Sequence, residues 1–164
     1  MKVNIIAGFM LLLILTSCKE DNEVTPYTYS QIFSGEKQKT WVVEDVLEAK
    51  VGEEGISFEF PPCMLDDRYT FKADSERSFI VDNGSAPCAV GEGEDPEEDV
   101  YVEATWSFVN SGAVLTIPIP RIFGNFYIPF TVREVSSNRM VLEIFADQEA
   151  TISYQVVMTS VDEQ

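Results

Sequence analysis

The three cysteines, Cys18, Cys63 and Cys88, are the side chains of this sequence best suited to covalent chemistry, because a thiolate is a strong nucleophile. The chain has no histidine, so the commonest general base and the commonest metal ligand are both missing. It has no Gly-x-Ser-x-Gly segment and no phosphate-binding loop, and its 28 acidic residues are too many for one catalytic pair to be singled out. We therefore predict a protein that is not an enzyme and needs no cofactor.

Cys18 follows a segment with the pattern of a secretory signal. The apolar run from Ile5 to Leu15 comes after a lysine and is shorter than the ~20 residues that a membrane-spanning helix needs. It ends in Leu-Thr-Ser-Cys at residues 15–18, which resembles the lipobox of bacterial lipoproteins. The resemblance implies that residues 1–17 are removed and that Cys18 carries acyl chains such as palmitate. The alternative is an ordinary signal peptide with an incidental cysteine.

The residues after Cys18 indicate a cellular location. Lys-Glu-Asp at residues 19–21 resembles the signal with which Bacteroidetes move lipoproteins to the cell surface, although a solvated linker is the alternative. Residues 18–29 are mostly polar and include Pro26, as expected of a lipidated tether. We expect a protein of the outer membrane, exposed at the cell surface and in contact with the membrane through Cys18.

Charge and length restrict the partners. Removal of residues 1–17 takes away one lysine and no acidic residue, so the formal charge goes from −17 to about −18. Such a charge argues against nucleic acid and anionic lipid as partners. The remaining chain has the size of one domain, which we place at residues 30–164.

With Cys18 assigned to lipid, Cys63 and Cys88 form an even pair in an exported chain, and this predicts a disulfide. The bond would close a loop of about 25 residues and stabilise the fold by roughly 3 kcal/mol in the chain-entropy model. A reactive thiol or a pair of metal ligands is the alternative.

Two of the acidic segments are candidates for a cation site. In the run at residues 92–99, Glu94, Asp95 and Asp99 are weak candidates for Ca²⁺ ligands. The spacing does not match an EF-hand and a proline interrupts it, so a solvated loop is favoured. The pair Asp66-Asp67 lies beside the expected disulfide, where capping of a turn is favoured over a cation site.

Alternation of polar and apolar residues predicts strands over most of the chain after one short helical turn at 30–37. Eight main strands are expected, at residues 40–49, 68–73, 78–81, 100–109, 113–119, 126–135, 140–146 and 151–161, with a brief alternating run at 56–60. In the first strand we expect Trp41, Val43 and Leu47 on the apolar face. Short polar links make sequential strands antiparallel neighbours. The order predicts an eight-stranded up-and-down barrel, with a β-sandwich as the alternative.

Several segments resemble a known family. Gly-Glu-Lys-Gln-Lys-Thr-Trp at 35–41 is similar to the opening of the lipocalin-like lipoproteins of Bacteroidetes. Residues 63–71 are similar to their Cys, acidic pair and Tyr-x-Phe segment, Cys88 matches their second cysteine, and residues 106–108 match a later tryptophan strand. The resemblance covers about 30–161 and implies a lipocalin-like barrel rather than an activity. The acidic insertion after Cys88 and the proline-rich strand near residue 118 depart from it.

Aromatic residues of the expected strands either fill the interior of a small barrel or line a cavity. Packing is favoured, because burying one ring contributes about 2 kcal/mol. If a cavity exists, the candidates to line it are Tyr69, Phe71, Trp106 and Phe108. Trp41 is expected to pack across the closed end of the barrel. Prolines cannot donate to a ladder, so Pro118, Pro120 and Pro129 should mark edges or bulges.

These observations favour a non-enzymatic binding or accessory module for a small apolar or glycan-type ligand. The first alternative is a structural or interaction subunit of an outer-membrane uptake complex, with an outer-membrane protein as its partner. The second is an enzyme of the lipocalin-like type.

Overall fold

The computed structural model describes residues 29–50, 53–86, 88, 100–109, 112–147 and 149–161. The short helices are α1 (Tyr29–Ser34), α2 (Pro62–Leu65) and α3 (Pro120–Phe123). The strands are β1 (Gln38–Lys50), β2 (Ile56–Ser57), β3 (Arg68–Lys72), β4 (Ser78–Asp82), β5 (Val100–Thr105), β6 (Ser107–Val109), β7 (Val114–Ile119), β8 (Gly124–Val135), β9 (Arg139–Phe145) and β10 (Ile152–Val161). None of the helices in this part of the chain has the length and apolar character needed to cross a bilayer.

The strands form one antiparallel sheet with the order β5-β4-β3-β1-β10-β9-β8-β7-β6, and β2 pairs with the far part of β1. The two ends of this order, β5 and β6, are separated in sequence only by Trp106. The sheet must therefore curl until its ends meet, which makes a nearly closed barrel. The predicted all-β barrel with up-and-down order is confirmed, and the alternative of a sandwich is not observed.

The strand count differs from the expected eight, since ten strands are present in the described residues. The segment expected as one strand, 100–109, is broken at Trp106, so that β5 pairs with β4 while β6 pairs with β7. At the break, the backbone N–H of Trp106 donates to the carbonyl of Arg77 (2.9 Å), and its indole N–H donates to the carbonyl of Lys72 (3.0 Å). The other additional strand is β2, which has two residues.

A bulge in β1 changes one predicted face. The register shifts between Val43 and Asp45, so Val46 rather than Leu47 joins Trp41 and Val43 inside the barrel. The placement of Leu47 on the inner face was wrong, because a bulge inserts one residue and reverses the alternation beyond it. A second bulge, in β7 at Pro118, confirms the prediction that a proline marks an irregularity there.

The barrel has two different ends. At the α1 end, the ring of Phe33 is fully buried and packs 4.8 Å from that of Phe108, and the carbonyl of Phe33 accepts a hydrogen bond from the indole of Trp41 (2.9 Å). Trp41 therefore packs across the closed end, as predicted. At the opposite end, which we call the disulfide end, lie α2, α3 and the bond between Cys63 and Cys88.

Candidate functional site

The predicted disulfide is confirmed. Cys63 in α2 is bonded to Cys88, with 5.0 Å between their Cα atoms. The bond ties the segment before β3 to the segment after β4, so it fixes one side of the disulfide end. It also removes both thiols from the set of reactive groups, and the alternatives of a free thiol or a pair of metal ligands do not hold here.

Four predicted positions lie outside the described residues. They are the expected lipid-attachment residue, Cys18, and the weak calcium candidates Glu94, Asp95 and Asp99. Within the ranges that the structure describes, no group of three or more cysteine, aspartate or glutamate residues is arranged to hold a metal ion.

The four candidate ligand-lining residues pack against one another and their neighbours. Tyr69 and Phe71 are fully buried, Trp106 is nearly so, and Phe108 is half-buried. The ring of Phe71 lies 5.8 Å from that of Trp106, which lies 5.5 Å from that of Phe108. Their role in ligand binding stays a prediction. In this structure they belong to the hydrophobic core, so a ligand inside the barrel would have to displace them.

A buried polar cluster lies at the disulfide end of the interior. Asp67, just before β3, is fully buried, and its Oδ2 lies 3.2 Å from Nε of Arg121 in α3. Nη2 of Arg121 donates to Oδ1 of Asn83, just after β4, at 2.8 Å. One guanidinium thus links α3 to the β3–β4 side of the barrel. Nothing in the local pattern pairs these residues, although an arginine inside the apolar stretch 113–124 suggests a buried carboxylate partner.

Tyr69 projects its hydroxyl into this region. The hydroxyl is buried and has no hydrogen-bond partner in the described residues. Burial raises the pKa of Tyr69 far above its ordinary value, and the nearby charge of Asp67 raises it further, while Arg121 opposes the rise. The neutral form of Tyr69 is therefore favoured in the folded protein, and the cluster holds the charges of the Asp67–Arg121 ion pair.

The acidic pair at 66–67 divides into two roles. Oδ2 of Asp66 accepts hydrogen bonds from the backbone of Ala86 (2.8 Å) and the hydroxyl of Ser85 (3.1 Å), so this residue holds a turn, as predicted. Asp67 instead forms the buried ion pair described above. Gly84 is required beside Asp66, because a Cβ at that position would lie 2.1 Å from the Asp66 carbonyl oxygen.

A group of apolar side chains surrounds the outer opening at the disulfide end. We call it the apolar rim, and it consists of Ile56, Phe58, Phe60, Phe123 and Tyr154. Ile56 is 70% exposed and Phe58 is 48% exposed. The ring of Phe58 lies 5.2 Å from that of Phe60 and 6.5 Å from that of Tyr154.

A carboxylate lies in the middle of the apolar rim. Glu48 of β1 pairs with Ile56 on one side and with Tyr154 on the other, so the three residues form one row across β2, β1 and β10. Residues in register on neighbouring strands project from the same face. The rim therefore combines the exposed ring of Phe58 and three half-buried rings with a hydrogen-bond acceptor.

A cleft lies at the α1 end of the barrel. It has a volume of about 580 Å³ and is lined by residues of α1, the start of β1 and the end of β10. Nζ of Lys39 donates to the carbonyls of Ile32 and Ser137 there and lies 4.3 Å from the centre of the Trp41 ring. Because these contacts of Lys39 hold α1 on the barrel, we assign this part of the cleft a structural role.

Comparison with known proteins adds no assignment to this geometry. The sequence matches no family model, and no curated protein is significantly similar to it.

Proposed function

We propose that this protein is a lipid-anchored, non-enzymatic binding module of the outer membrane, exposed at the cell surface, and that it holds a neutral glycan on the apolar rim. The observation that carries the proposal is the exposure of Phe58 and Ile56 next to two further rings at the mouth of a barrel with a filled interior. Exposed apolar groups that are clustered, rather than scattered, mark a surface that binds something.

A glycan fits this surface better than a purely apolar ligand. The faces of sugar rings are apolar and stack on aromatic rings, while their hydroxyls need hydrogen-bond acceptors. Glu48 in the rim and Glu59, exposed between two rim phenylalanines, supply such acceptors. The formal charge of −17 opposes an acidic glycan, so the ligand is expected to be neutral.

The position of the rim suits a tethered protein. The described chain begins at Tyr29, at the α1 end, and the proposed anchor at Cys18 precedes it by a segment that spans at most about 40 Å when extended. The rim lies at the opposite end of the barrel. A lipid at Cys18 would hold the α1 end near the bilayer and leave the rim directed away from it.

The experiment is calorimetry on the protein purified from membranes in mild detergent, titrated with a panel of neutral oligosaccharides. We expect Phe58→Ala to weaken binding about tenfold, since losing one stacked ring costs about 1 to 1.5 kcal/mol. The matched control is Phe145→Ala, because Phe145 is 42% exposed but does not belong to the rim. Phe145 pairs with Ser153, the residue before Tyr154 in β10, so it projects from the opposite face of the sheet to Tyr154. Absence of binding to every neutral glycan, or equal losses in the two variants, would refute the proposal.

A further inference from the structure

The barrel wall contains a seam, which we define as the junction between β5 (Val100–Thr105) and β7 (Val114–Ile119). On one side of Trp106, β6 continues the wall by pairing with β7. On the other side, β5 pairs with β4 alone, and no backbone hydrogen bond between described residues joins β5 to β7. The two ends of the sheet meet here without a ladder.

Backbone groups of β5 point into this seam. The N–H of Trp106 donates towards β4, to the carbonyl of Arg77. Successive residues of a strand direct their backbone groups to opposite edges. Thr105 and Glu103 therefore direct theirs to the seam, where the N–H of Thr105 donates to the hydroxyl oxygen of Tyr127 at 3.1 Å. The side chain of Tyr127, from β8, occupies the place that the carbonyl of a neighbouring strand would take.

The inner side of the seam is also incompletely covered. Val102 and Ala104 of β5 are half-buried, whereas their partners on β4, Val81 and Phe79, are fully buried. Paired residues on one face of a sheet normally share one environment, so the difference indicates that the described residues cover the seam side of β5 incompletely.

We propose that the seam binds an extended, basic segment of a partner protein, which adds a strand beside β5 and displaces the hydroxyl of Tyr127. Pairing of an extended peptide with a free strand edge is a common mode of recognition, with affinity from the main chain and specificity from alternate side chains. This inference is independent of glycan binding at the apolar rim.

The charges around the seam select the partner. A cleft of about 360 Å³ lies on the outer face beside Tyr127 and includes Glu76, Glu103 and Lys72. A second copy of this chain, with a charge of −17, would be repelled. The fitting strand has lysine or arginine at outward positions and small apolar residues towards Val102 and Ala104.

The test uses the full chain in mild detergent and an acetylated, amidated heptapeptide in which lysine and valine alternate. We expect saturable binding that weakens with salt, together with slower hydrogen exchange at the Glu103 amide. A peptide with glutamate in place of lysine, and one with every backbone nitrogen methylated, should each bind at least about tenfold more weakly. The proposal is wrong if the peptide does not bind, if either altered peptide binds equally well, or if the Glu103 amide is not slowed.

A variant separates this inference from unspecific attraction to an acidic surface. Tyr127→Phe removes the hydroxyl that competes for the Thr105 N–H, and it should tighten peptide binding about threefold to tenfold, the worth of one hydrogen bond. Attraction by charge alone predicts no change, because the substitution is neutral. Unchanged or weaker binding by Tyr127→Phe would therefore overturn the displacement step.

Discussion

The β1–β10 junction and the seam between β5 and β7 close the same barrel by different means. β1 and β10 join the two ends of the domain through an antiparallel ladder that runs from Thr40 and Val161 to Lys50 and Ile152. In the described residues, the two sides of the seam are joined instead by side chains. Tyr127 of β8 contacts Thr105 of β5, and Arg121, just after β7, contacts Asn83 and Asp67 on the β3–β4 side. A ladder fixes every residue along it, whereas side-chain bridges fix only their two ends.

This difference indicates which junction of the barrel wall opens more easily. Opening the ladder would break a row of backbone hydrogen bonds and expose Val43, Val46 and Val156, all of which are buried. Within the described residues, opening the seam would break the side-chain contacts named above and uncover the half-buried Val102 and Ala104 together with the buried Ile117 of β7, without breaking a β5–β7 ladder. Binding surfaces are expected in the less stable part of a fold, and in this protein we expect that part to be the seam.

Hydrogen exchange should give the largest contrast. We expect the central amides of β1 and β10 to exchange only through global unfolding, so their protection should report the full ~5–15 kcal/mol of a domain. The amide of Glu103, which faces the seam, should exchange faster by at least about a thousandfold. Exchange measured by NMR checks this, and equal protection in Glu103 and Val156 would show that the seam is as firmly closed as the ladder.

Removal of a bridging side chain should give the next largest effect. Arg121→Met leaves the carboxylate of Asp67 buried without its cation, so we expect a loss of about 3 kcal/mol in the free energy of unfolding. Arg139→Met is the matched control, because Arg139 is 42% exposed and pairs with Glu134, which is 54% exposed. The control should cost less than about 1 kcal/mol. Similar losses in urea unfolding of the two variants would mean that Arg121 does not stabilise the seam.

The inward residues of the first strand and the disulfide were predictable from the sequence, whereas the seam was not. The alternation of polar and apolar residues places Trp41 and Val43 inside. With Cys18 assigned to lipid, Cys63 and Cys88 were the two cysteines that remained to form a disulfide. Such inferences depend on neighbours in sequence or on counting. Two features depend instead on how strands distant in sequence pair, namely the bulge that moves Leu47 outside and the break at Trp106. The local alternation of polar and apolar residues does not predict such pairing.

The candidate sites divide in the same way. Strand aromatics such as Phe71 and Trp106 were recognisable as one set, but alternation alone could not decide between packing and lining a cavity. The ion pair of Asp67 and Arg121 was missed, because it joins residues far apart in the chain. The apolar rim was missed because β2 was seen only as a brief alternating run, whose pairing with β1 beyond the bulge had no local signal.

Tyr69 offers the smallest effect and tests whether the interior beside the seam is dry. Because burial and the charge of Asp67 raise the pKa of Tyr69 in the folded state, its neutral form is favoured by folding. This stabilisation is complete below the unfolded-state pKa near 10 and is lost as pH rises above it. Above that pH the native protein should lose about 1.4 kcal/mol per pH unit through this group.

Tyr69→Phe should remove that loss and leave the other titrating groups in place. At pH 7 the variant should be as stable as the native protein or slightly more so, because it deletes a buried hydroxyl without a hydrogen-bond partner in the described residues. Urea unfolding at pH 7, 10 and 11 measures both effects. Parallel loss of stability in the two proteins between pH 10 and 11 would mean that water reaches the Tyr69 hydroxyl. In that case we expect the water to enter through the seam rather than the ladder, since Val102 and Ala104 of β5 are half-buried whereas Val43, Val46 and Val156 of the ladder are buried.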